Sequence, residues 1–455
     1  MKISDVLGLN SRNHLYTSVY NSRGGKRIAD SKLLTKKTLR AADVRVPQTY
    51  AVIRDHEALE KFDFLKLPAD FVVKPNNGLG GQGIVVIERQ GLYAGEWVDS
   101  QGKTWNVEDL RLHINDILAG QYSMDDLPDV AYIEERVRVH PVFEKYSYHG
   151  TPDIRVIVFN RVPIMSYVRL PTAESGGRAN LFQGAAAVGI DIATGITTYG
   201  VHHAKPVVFF PGTRRKLSGI MIPQWEEILE TAIRAADAIG LGYMASDIVL
   251  QPGESAIQHI STSASQRASK LVSQKIGENK ATPMILEVNA QPGLKIQIAN
   301  KAGLKERLTR IAGLKIVSPK HGIRVAQALF ADPKLESKGL GRKTVGRFEE
   351  VEVLGLNGTR ETIRAKIDTG ADISSIDKEM ADRLGLTSDD NVLYESSFYN
   401  ALGKKKRQVV GMTYYLGGKK IKSRASVSDR TRLSTKMIVG WRDLTGFAVV
   451  SDGTQ

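Results

Sequence analysis

The sequence contains no cysteine, no long apolar run and no apolar segment of signal-peptide length at its start. Without cysteine, the chain has no disulfide, no thiolate metal ligand and no cysteine nucleophile. Because no run approaches the roughly 20 apolar residues that span a bilayer, we expect no membrane partner. The polar start, MKISDVLGLNSRN, predicts a cytoplasmic protein. The 42% hydrophobic and 25% charged residues are typical of a soluble globular protein, and 455 residues predict two or three domains.

The net charge of +14 is distributed unevenly. Residues 301–343 contain eleven Lys and Arg against three acidic residues, which is a net charge of +8. A segment of this kind is a candidate for binding nucleic acid or an acidic partner. No RRM, KH, zinc-finger or helix-turn-helix pattern accompanies it. We interpret it as a solvated basic face, and nucleic acid is not the main partner that we expect.

A lysine precedes a glycine-rich loop in FVVKPNNGLGGQGIVVI, residues 71–87. Four glycines occur within six residues, directly after an apolar run that carries Lys74. One interpretation is a β-hairpin with a lysine that extends to solvent, since Asn and Gly favour turns. The other is a loop that holds the phosphates of a nucleotide. This stretch alone does not distinguish them.

The remaining pattern predicts an α+β region followed by a β-rich one. Amphipathic helices are expected near residues 31–41, 107–118 and 225–240, and a β-hairpin with its turn at Asn160 and Arg161. A polar insertion at residues 251–282 separates two apolar strands and is interpreted as a surface loop or lid. Short strands with glycine turns predict a small barrel near the C-terminus. The predicted domains are residues 1–318, with a short N-terminal segment 1–30, a basic connector 319–345, and residues 346–455.

Two strands carry oxygen ligands suited to a hard cation. Asp247 lies in MASDIVL, and Glu287 and Asn289 lie in ILEVNA. Residues two apart on a strand share a face, so Glu287 and Asn289 project together. Carboxylate and amide oxygens that converge on one point are the ligands that Mg²⁺ prefers. The alternative is that the carboxylates are solvated strand residues.

The ordered motifs resemble those of ATP-grasp ligases, and most closely the RimK-like α-L-glutamate ligases. The resemblance covers residues 8–318 and rests on NSRN…YNSR, DSKLLTK, KPNNGLGGQGI, YIEERV, DIRVIVF, GGRANLFQGA and LEVNAQPGLKIQIAN. It implies an ATP-grasp fold, in which two α/β subdomains with antiparallel sheets enclose ATP. The N-terminal segment is short for this family, so glutamate is not assumed as the substrate.

The resemblance also implies roles for individual residues. ATP phosphates would be bound by two lysines and three glycines, namely Lys32, Lys74, Gly80, Gly81 and Gly83. Adenine would be bound by Glu134 and by the backbone of Glu135 and Val137. Two Mg²⁺ ions would be held by Asp247, Glu287 and Asn289.

The implied reaction joins a carboxylate to an amine through an acyl phosphate. Arg155, Arg169 and Arg178 are candidate catalytic residues, since a guanidinium fork binds paired carboxylate or phosphoryl oxygens. Asn180 is a candidate substrate contact beside them. The substrates would be amino acids or peptides, with a macromolecular acceptor as an alternative. A hydroxyl kinase and a protein that binds acidic partners through residues 301–343 stay open as other functions.

The segment KIDTGADISSI resembles the active-site motif of small bacterial retropepsin-like proteases of the RimB type, and the resemblance covers residues 346–452. It implies a small all-β barrel with Asp368 as a catalytic carboxylate. An aspartic protease needs two carboxylates that share a proton, and one such motif supplies one. We therefore expect either a homodimer or a different role in recognising or processing an amide.

Three histidines could in principle act as ligands: His202, His203 and His259. No carboxylate shares a helical or strand register with them. We interpret them as loop or core histidines.

Overall fold

The computed structural model describes residues 3–78, 80–123, 126–253, 281–331, 343–400, 403–444 and 447–449. Most of the predicted 251–282 insertion and part of the predicted connector lie outside these ranges. The chain divides into two compact units: residues 1–190 with 195–310, and residues 191–194 with 311–455. Within the described part, no helix is long and apolar enough to cross a membrane.

Both units contain helices, and several helices of the first unit pack against its strands. A short π-helical segment, Arg12–Thr17, separates the first two α-helices. The α-helices are α1 (Leu9–Ser11), α2 (Ser18–Tyr20), α3 (Arg23–Ala29), α4 (Lys32–Ala41), α5 (His56–Glu60), α6 (Val107–Leu118), α7 (Pro141–Glu144), α8 (Trp225–Ile239), α9 (Ile296–Asn300), α10 (Leu304–Ile311), α11 (Pro319–Phe330) and α12 (Lys378–Arg383).

The first unit contains two antiparallel sheets. The first has the order β1-β6-β2-β3-β4-β5 and comprises β1 (Thr49–Ile53), β2 (Phe71–Pro75), β3 (Val85–Gln90), β4 (Glu96–Asp99), β5 (Thr104–Asn106) and β6 (Ala131–Glu134). The second has the order β11-β10-β9-β8-β7-β12-β13 and comprises β7 (Asp153–Phe159), β8 (Val162–Leu170), β9 (Ala186–Ile190), β10 (Thr197–His202), β11 (Lys205–Val207), β12 (Tyr243–Gln251) and β13 (Thr282–Asn289). These sheets are those that the predicted fold requires.

Local sequence explains the elements that position the site. Ser31 caps α4 by accepting a hydrogen bond from the Leu34 backbone N–H. Helix α8 buries an apolar face against the second sheet and ends at Gly240, whose φ of +76° suits glycine. The β7–β8 turn places Asn160 and Arg161 at φ +47° and +61°, as a tight hairpin requires.

The second unit consists mainly of β-strands, and its described residues also form helices α11 and α12. Its main sheet has the order β15-β16-β21-β17-β20-β19-β18, and β15 also pairs with β19, which closes six strands into a barrel. Helix α11 packs against β18 and β20 and lies within the segment predicted as a connector. The strands are β14 (Lys343–Val345), β15 (Phe348–Leu354), β16 (Arg360–Asp368), β17 (Ser374–Asp377), β18 (Val392–Asn400), β19 (Gly403–Leu416), β20 (Lys419–Ser428), β21 (Met437–Gly440) and β22 (Phe447–Val449).

Candidate active site

Four charged side chains form one network where β8, β7 and β12 run side by side. Arg155 on β7 lies opposite Asp247 on β12, and its Nε and Nη2 donate to Oδ1 and Oδ2 at 2.6 Å each. Asp153, two residues earlier on the same face of β7, accepts a matching pair of 2.6 Å bonds from Arg169 on β8. Arg169 Nη2 also donates to Asp247 Oδ2 at 2.8 Å, which joins the two pairs.

The two buried carboxylates of this network have opposite pKa shifts. Burial works to raise the pKa of Asp247, but Arg155 and Arg169 outweigh it and lower that pKa to about 2. Burial raises the pKa of Asp153 to about 6, with Arg169 opposing the rise and Asp247 adding to it. Both groups are therefore carboxylates at neutral pH, and two arginines balance their charge.

Glu287 and Asn289 extend this network onto β13. Glu287 lies opposite Asp247, beside a register shift between β12 and β13, and Asn289 lies two residues further along. Asn289 Nδ2 donates to Asp247 Oδ2 at 3.3 Å, which leaves the Asn289 carbonyl oxygen as an acceptor. The half-buried Glu287 carboxylate has no hydrogen-bond donor among the described residues, and Asp247 Oδ1 accepts one hydrogen bond from the protein. The side-chain oxygens of Asp247, Glu287 and Asn289 can therefore still bind a cation, and oxygen ligands are those that Mg²⁺ prefers.

A buried carboxylate on the first sheet holds two lysines. Glu134 on β6 is 1% exposed and bonds Lys74 Nζ at 2.5 Å and Lys36 Nζ at 2.6 Å. Burial works to raise the pKa of Glu134, but the two ammonium groups outweigh it and leave the pKa below its ordinary value. We expected Glu134 to bind adenine. In the structure its carboxylate pairs with Lys36 and Lys74, and the adenine role stays a prediction.

Lys32 lies at the entrance to the glycine-rich loop. Its Nζ donates to the backbone carbonyls of Asn76 and Gly78 at 3.2 and 3.0 Å. Burial lowers the pKa of Lys32, and the nearby Glu287 carboxylate opposes that decrease. Of the second sheet's carboxylates, Glu287 is the one that acts on the charge of Lys32 among the described residues.

The glycine-rich loop joins β2 to β3 as a hairpin and also approaches the second sheet. Gly80, Gly81 and Gly83 have φ values of +61°, +81° and +70°, which side chains disfavour. Asn180 Nδ2 donates to the Gly80 carbonyl at 3.2 Å. Arg178 is exposed, and its Cδ would lie 3.7 Å from a Cβ at Gly81. The structure therefore brings Arg178, a candidate catalytic residue, and Asn180, a candidate substrate contact, to the loop.

The segment after β6 was expected to contact adenine through its backbone. The Glu135 N–H donates to the Gln48 carbonyl at 2.8 Å, and the Glu135 carboxylate accepts from the Gln48 N–H at 3.0 Å. The Val137 carbonyl accepts from Thr151 Oγ1 at 3.3 Å. Among the described residues, no hydrogen-bond partner is present for the Glu135 carbonyl or the Val137 N–H, so these two groups remain candidates for contact with a base.

Asp368 ends β16 in the second unit. It lies opposite Gly440 of β21, and its Oδ1 accepts from the Gly370 N–H at 3.1 Å. Lys366 Nζ lies 3.3 Å from its Oδ2. A second carboxylate, Asp443, accepts hydrogen bonds from Ser374, Tyr414 and Ser423. Burial raises the pKa of Asp443.

Two site residues were missed from the sequence. Asp153 precedes Arg155 by two residues on one strand, and this Asp-x-Arg spacing is the pattern that places both on one face. Lys36 follows Lys32 by four residues on α4, where helical spacing predicts neighbouring side chains. Neither pattern identifies the partner, since the partners come from other strands.

The sequence matches the model of one protein family. The model, described as sugar-transfer associated ATP-grasp, matches residues 11–257. The chain belongs to this family. The matched range includes the glycine-rich loop, the arginine–carboxylate network and Asp247, and the two antiparallel sheets are those of the ATP-grasp fold. The narrower resemblances to RimK-like ligases and to retropepsin-like proteases stay predictions.

Comparison with known structures gives distant matches to this ATP-grasp chain. The ATP-grasp ligase PsnB, complexed with precursor peptide PsnA2 and AMPPNP, is 16% identical, with 64% of this chain and 59% of that one covered and a TM-score of 0.31. A D-alanine–D-alanine ligase from Bacillus anthracis, complexed with ATP, is 13% identical, with 71% and 74% covered and a TM-score of 0.31.

A third match is Lpg0085 from Legionella pneumophila, a protein of unknown function. It is 19% identical, with 25% of this chain and 95% of that one covered and a TM-score of 0.18. The chain covers 59% of the PsnB structure, which is less than two thirds of its length. No curated protein matches the chain.

Proposed function

We propose that this ATP-grasp chain is an ATP-dependent carboxylate–amine ligase. A substrate carboxylate oxygen attacks the γ-phosphorus of ATP and releases ADP, which gives an acyl phosphate. An amine then attacks the acyl carbon, loses a proton and expels phosphate, which leaves a peptide or isopeptide bond. The observation that carries the proposal is that one compact unit has a cationic side at the glycine-rich loop and an oxygen-rich side on β12 and β13.

The cationic side would bind the nucleotide. Lys32 and Lys74 would contact the phosphates, and the backbone N–H groups of the glycine-rich loop would approach them where a Cβ would intrude. The Glu134 carboxylate fixes the position of the Lys74 ammonium. The base would contact the Glu135 carbonyl and the Val137 N–H.

The oxygen-rich side would hold Mg²⁺. One oxygen from each of Asp247, Glu287 and Asn289 fits this hard cation. Bound Mg²⁺ would neutralise charge on the β- and γ-phosphates. Arg155 and Arg169 hold the Asp247 carboxylate in one orientation, because their guanidinium groups are engaged by Asp247 and Asp153. We therefore assign them as positioning residues.

Arg178 and Asn180 are the proposed substrate contacts. Arg178 has no acidic partner within the described ranges and lies beside Gly81. A free guanidinium fork there suits the incoming carboxylate and the transferring phosphoryl group. Asn180 already contacts the loop through Gly80.

The second unit is proposed as a retropepsin-like module that recognises or processes the amide product. Asp368 follows an apolar strand and accepts a hydrogen bond from the N–H of its own Asp-Thr-Gly loop. A homodimer would supply a second copy of Asp368, as shared-proton chemistry requires.

A product assay tests the proposal. The protein would be mixed with ATP, Mg²⁺ and a pool of amino acids, short peptides and amino sugars, and ADP, phosphate and new masses would be measured. Glu287→Gln would be compared with Glu306→Gln, which alters an exposed ion pair with Arg310. The proposal predicts a condensation product that Glu287→Gln removes and Glu306→Gln retains.

Other outcomes would decide against it. ADP formation with a phosphorylated product and no free phosphate would indicate a kinase. Asp368→Asn tests the second module separately: accumulation of a longer or uncleaved product would support a processing role, and an unchanged product profile would contradict it.

A further inference from the structure

The second sheet carries a side-chain cluster that the proposed ligase chemistry does not use. His202 ends β10, His203 follows it in the turn to β11, and Glu174 lies in the loop after β8. One ligand atom from each of the three lies within 4.8 Å of the others. His203 Nε2 is 2.7 Å from Glu174 Oε1, and His202 Nε2 is 3.4 Å from Glu174 Oε2.

We propose that Glu174, His202 and His203 bind a divalent transition-metal ion, with Zn²⁺ as the favoured ion. Two imidazoles and one carboxylate are zinc ligands, whereas Mg²⁺ prefers oxygen alone. Zn–N and Zn–O bonds of about 2.0–2.1 Å place tetrahedral ligand atoms roughly 3.4 Å apart. The His202–Glu174 separation equals this value and the His203–Glu174 separation is shorter, so side-chain rotations that move His203 away from Glu174 bring the three atoms onto one ion. A water would take the fourth position.

The backbone around the cluster leaves room for this carboxylate. Gly184 has φ +97°, and a Cβ at this position would lie 2.9 Å from both Cγ and Cδ of Glu174. The Gly184 carbonyl lies 2.9 Å from His202 Nε2 and accepts a hydrogen bond from Thr172 Oγ1 at 2.8 Å. A metal bound at His202 Nε2 would replace this contact with the Gly184 carbonyl, because a nitrogen that binds a metal has no proton to donate.

The turn geometry brings the second imidazole to the same point. His203 and Ala204 form a two-residue turn with φ +49° and +60°, and the pair of histidine rings lies 4.2 Å apart between centroids. His202 and His203 are adjacent in sequence, so on a regular strand their side chains would face opposite sides. The turn at His203 removes that alternation and allows both rings to face Glu174.

A metal at this site would affect residues 171–185, the loop that follows β8. Residues 171–185 carry Glu174 at one end and Arg178 and Asn180 beyond it. An ion that joins Glu174 to the end of β10 would fix this loop against the sheet. The metal would therefore order the segment that presents the proposed substrate contacts to Gly80 and Gly81.

The first test is direct metal binding by the full chain. Protein stripped with chelator and returned to excess Mg²⁺ would be dialysed against Zn²⁺, and bound metal would be measured by mass spectrometry. We expect one tightly bound Zn²⁺ per chain, and Co²⁺ in its place to give the intense visible absorption of a four-coordinate site. If the protein bound no Zn²⁺ in the presence of excess Mg²⁺, the proposal would be overturned.

Two variants that each lack a ligand, compared with one control variant, test whether the ion binds at this cluster. Glu174→Gln and His203→Asn each remove a ligand, and Asn tolerates the positive φ of that turn. Loss of a residue that only orients a metal ligand weakens metal binding by about tenfold or more. Loss of a ligand itself is therefore expected to weaken Zn²⁺ binding by at least about tenfold. His56→Ala is the matched control, since His56 is exposed and contacts Asn115. Equal affinity in all three variants would contradict the assignment.

Hydrogen exchange gives a readout that is independent of catalysis. Amides in residues 171–185 should exchange more slowly in Zn²⁺-loaded protein than in stripped protein with Mg²⁺ present. The difference should be absent in Glu174→Gln. Because this experiment needs neither ATP nor substrate, failure of the ligase proposal leaves it unaffected, and a Zn²⁺-independent exchange rate would overturn the ordering role.

Discussion

Arg155 and Asp247 lie opposite each other on β7 and β12, and the arginine donates to both carboxylate oxygens at 2.6 Å. The pairing with Arg155 holds the Asp247 carboxylate in place, and Asp247 lies opposite Glu287 on the neighbouring strand, β13. The arginine thus supports the proposed magnesium site by holding a ligand in place, and its own guanidinium is not free for substrate.

Loss of Arg155 should destabilise the first unit. Arg155→Met leaves part of the charge of Asp247 buried without its main partner, which costs about 3–5 kcal/mol of unfolding free energy. Urea unfolding followed by tryptophan fluorescence measures this, in a Trp441→Phe background because Trp97, Trp105 and Trp225 then all report on the first unit.

The matched control for this change is Arg161→Met. Arg161 forms an exposed pair with Asp237 at 2.8 Å, so its loss should cost no more than about 1 kcal/mol. Equal effects of the two substitutions would show that the buried network adds nothing to stability.

Glu134→Gln should also destabilise the protein, with a defined pH dependence. The variant leaves Lys36 and Lys74 without their shared counter-charge, at about 3–5 kcal/mol. The folded pKa of Glu134 lies below its unfolded value, so its contribution is complete above the unfolded value of about 4.3 and is lost as the pH falls through the folded pKa.

The measurement is the difference in unfolding free energy between wild type and Glu134→Gln at several pH values. The difference should be largest near pH 7 and should narrow in acid. A difference that grows as the pH falls would contradict the assignment of a depressed pKa. Glu57→Gln, in an exposed pair with Lys61, serves as the control with little effect at any pH.

Gly81→Ala should weaken ATP binding selectively. Gly81 has φ +81°, and a Cβ there would lie 3.7 Å from Arg178 Cδ, on a loop that is proposed to hold the phosphates. Loss of charge-assisted backbone contacts should raise the Kd for ATP by about tenfold or more. Gly102→Ala is the control, since Gly102 has φ +86° and open space around it.

Both glycine variants carry a similar backbone strain of roughly 1–2 kcal/mol. Calorimetric titration with ATP and Mg²⁺ separates strain from binding. If Gly102→Ala weakened ATP binding as much as Gly81→Ala, the loop would have no specific role.

The sequence predicted the elements better than the contacts. Helices α4, α6 and α8 and the β7–β8 turn follow from apolar spacing, a Ser cap and turn residues, which are local properties. Closure of the small barrel through β15 and β19 depends on pairing between strands far apart in sequence, and strand spacing alone predicted only a barrel of some kind.

The same distinction applies to the candidate site. The motifs predicted Asp247, Glu287 and Asn289 together, and alternation on β13 explains why two of them share a face. Sequence spacing did not predict that Arg155 and Arg169 would bind carboxylates, because Asp153 and Asp247 reach them across strands. It also did not bring Glu174 to His202 and His203, and the prediction for His259 lies outside the described residues.

Transfer of isotopic oxygen tests the central claim most directly. A substrate labelled with ¹⁸O in its carboxylate, identified from the product assay, would be converted with ATP and Mg²⁺, and the released phosphate would be analysed by mass spectrometry. Ligation through an acyl phosphate predicts one ¹⁸O atom in the phosphate for each bond formed, and no label in ADP. Unlabelled phosphate alongside a formed amide would contradict the account.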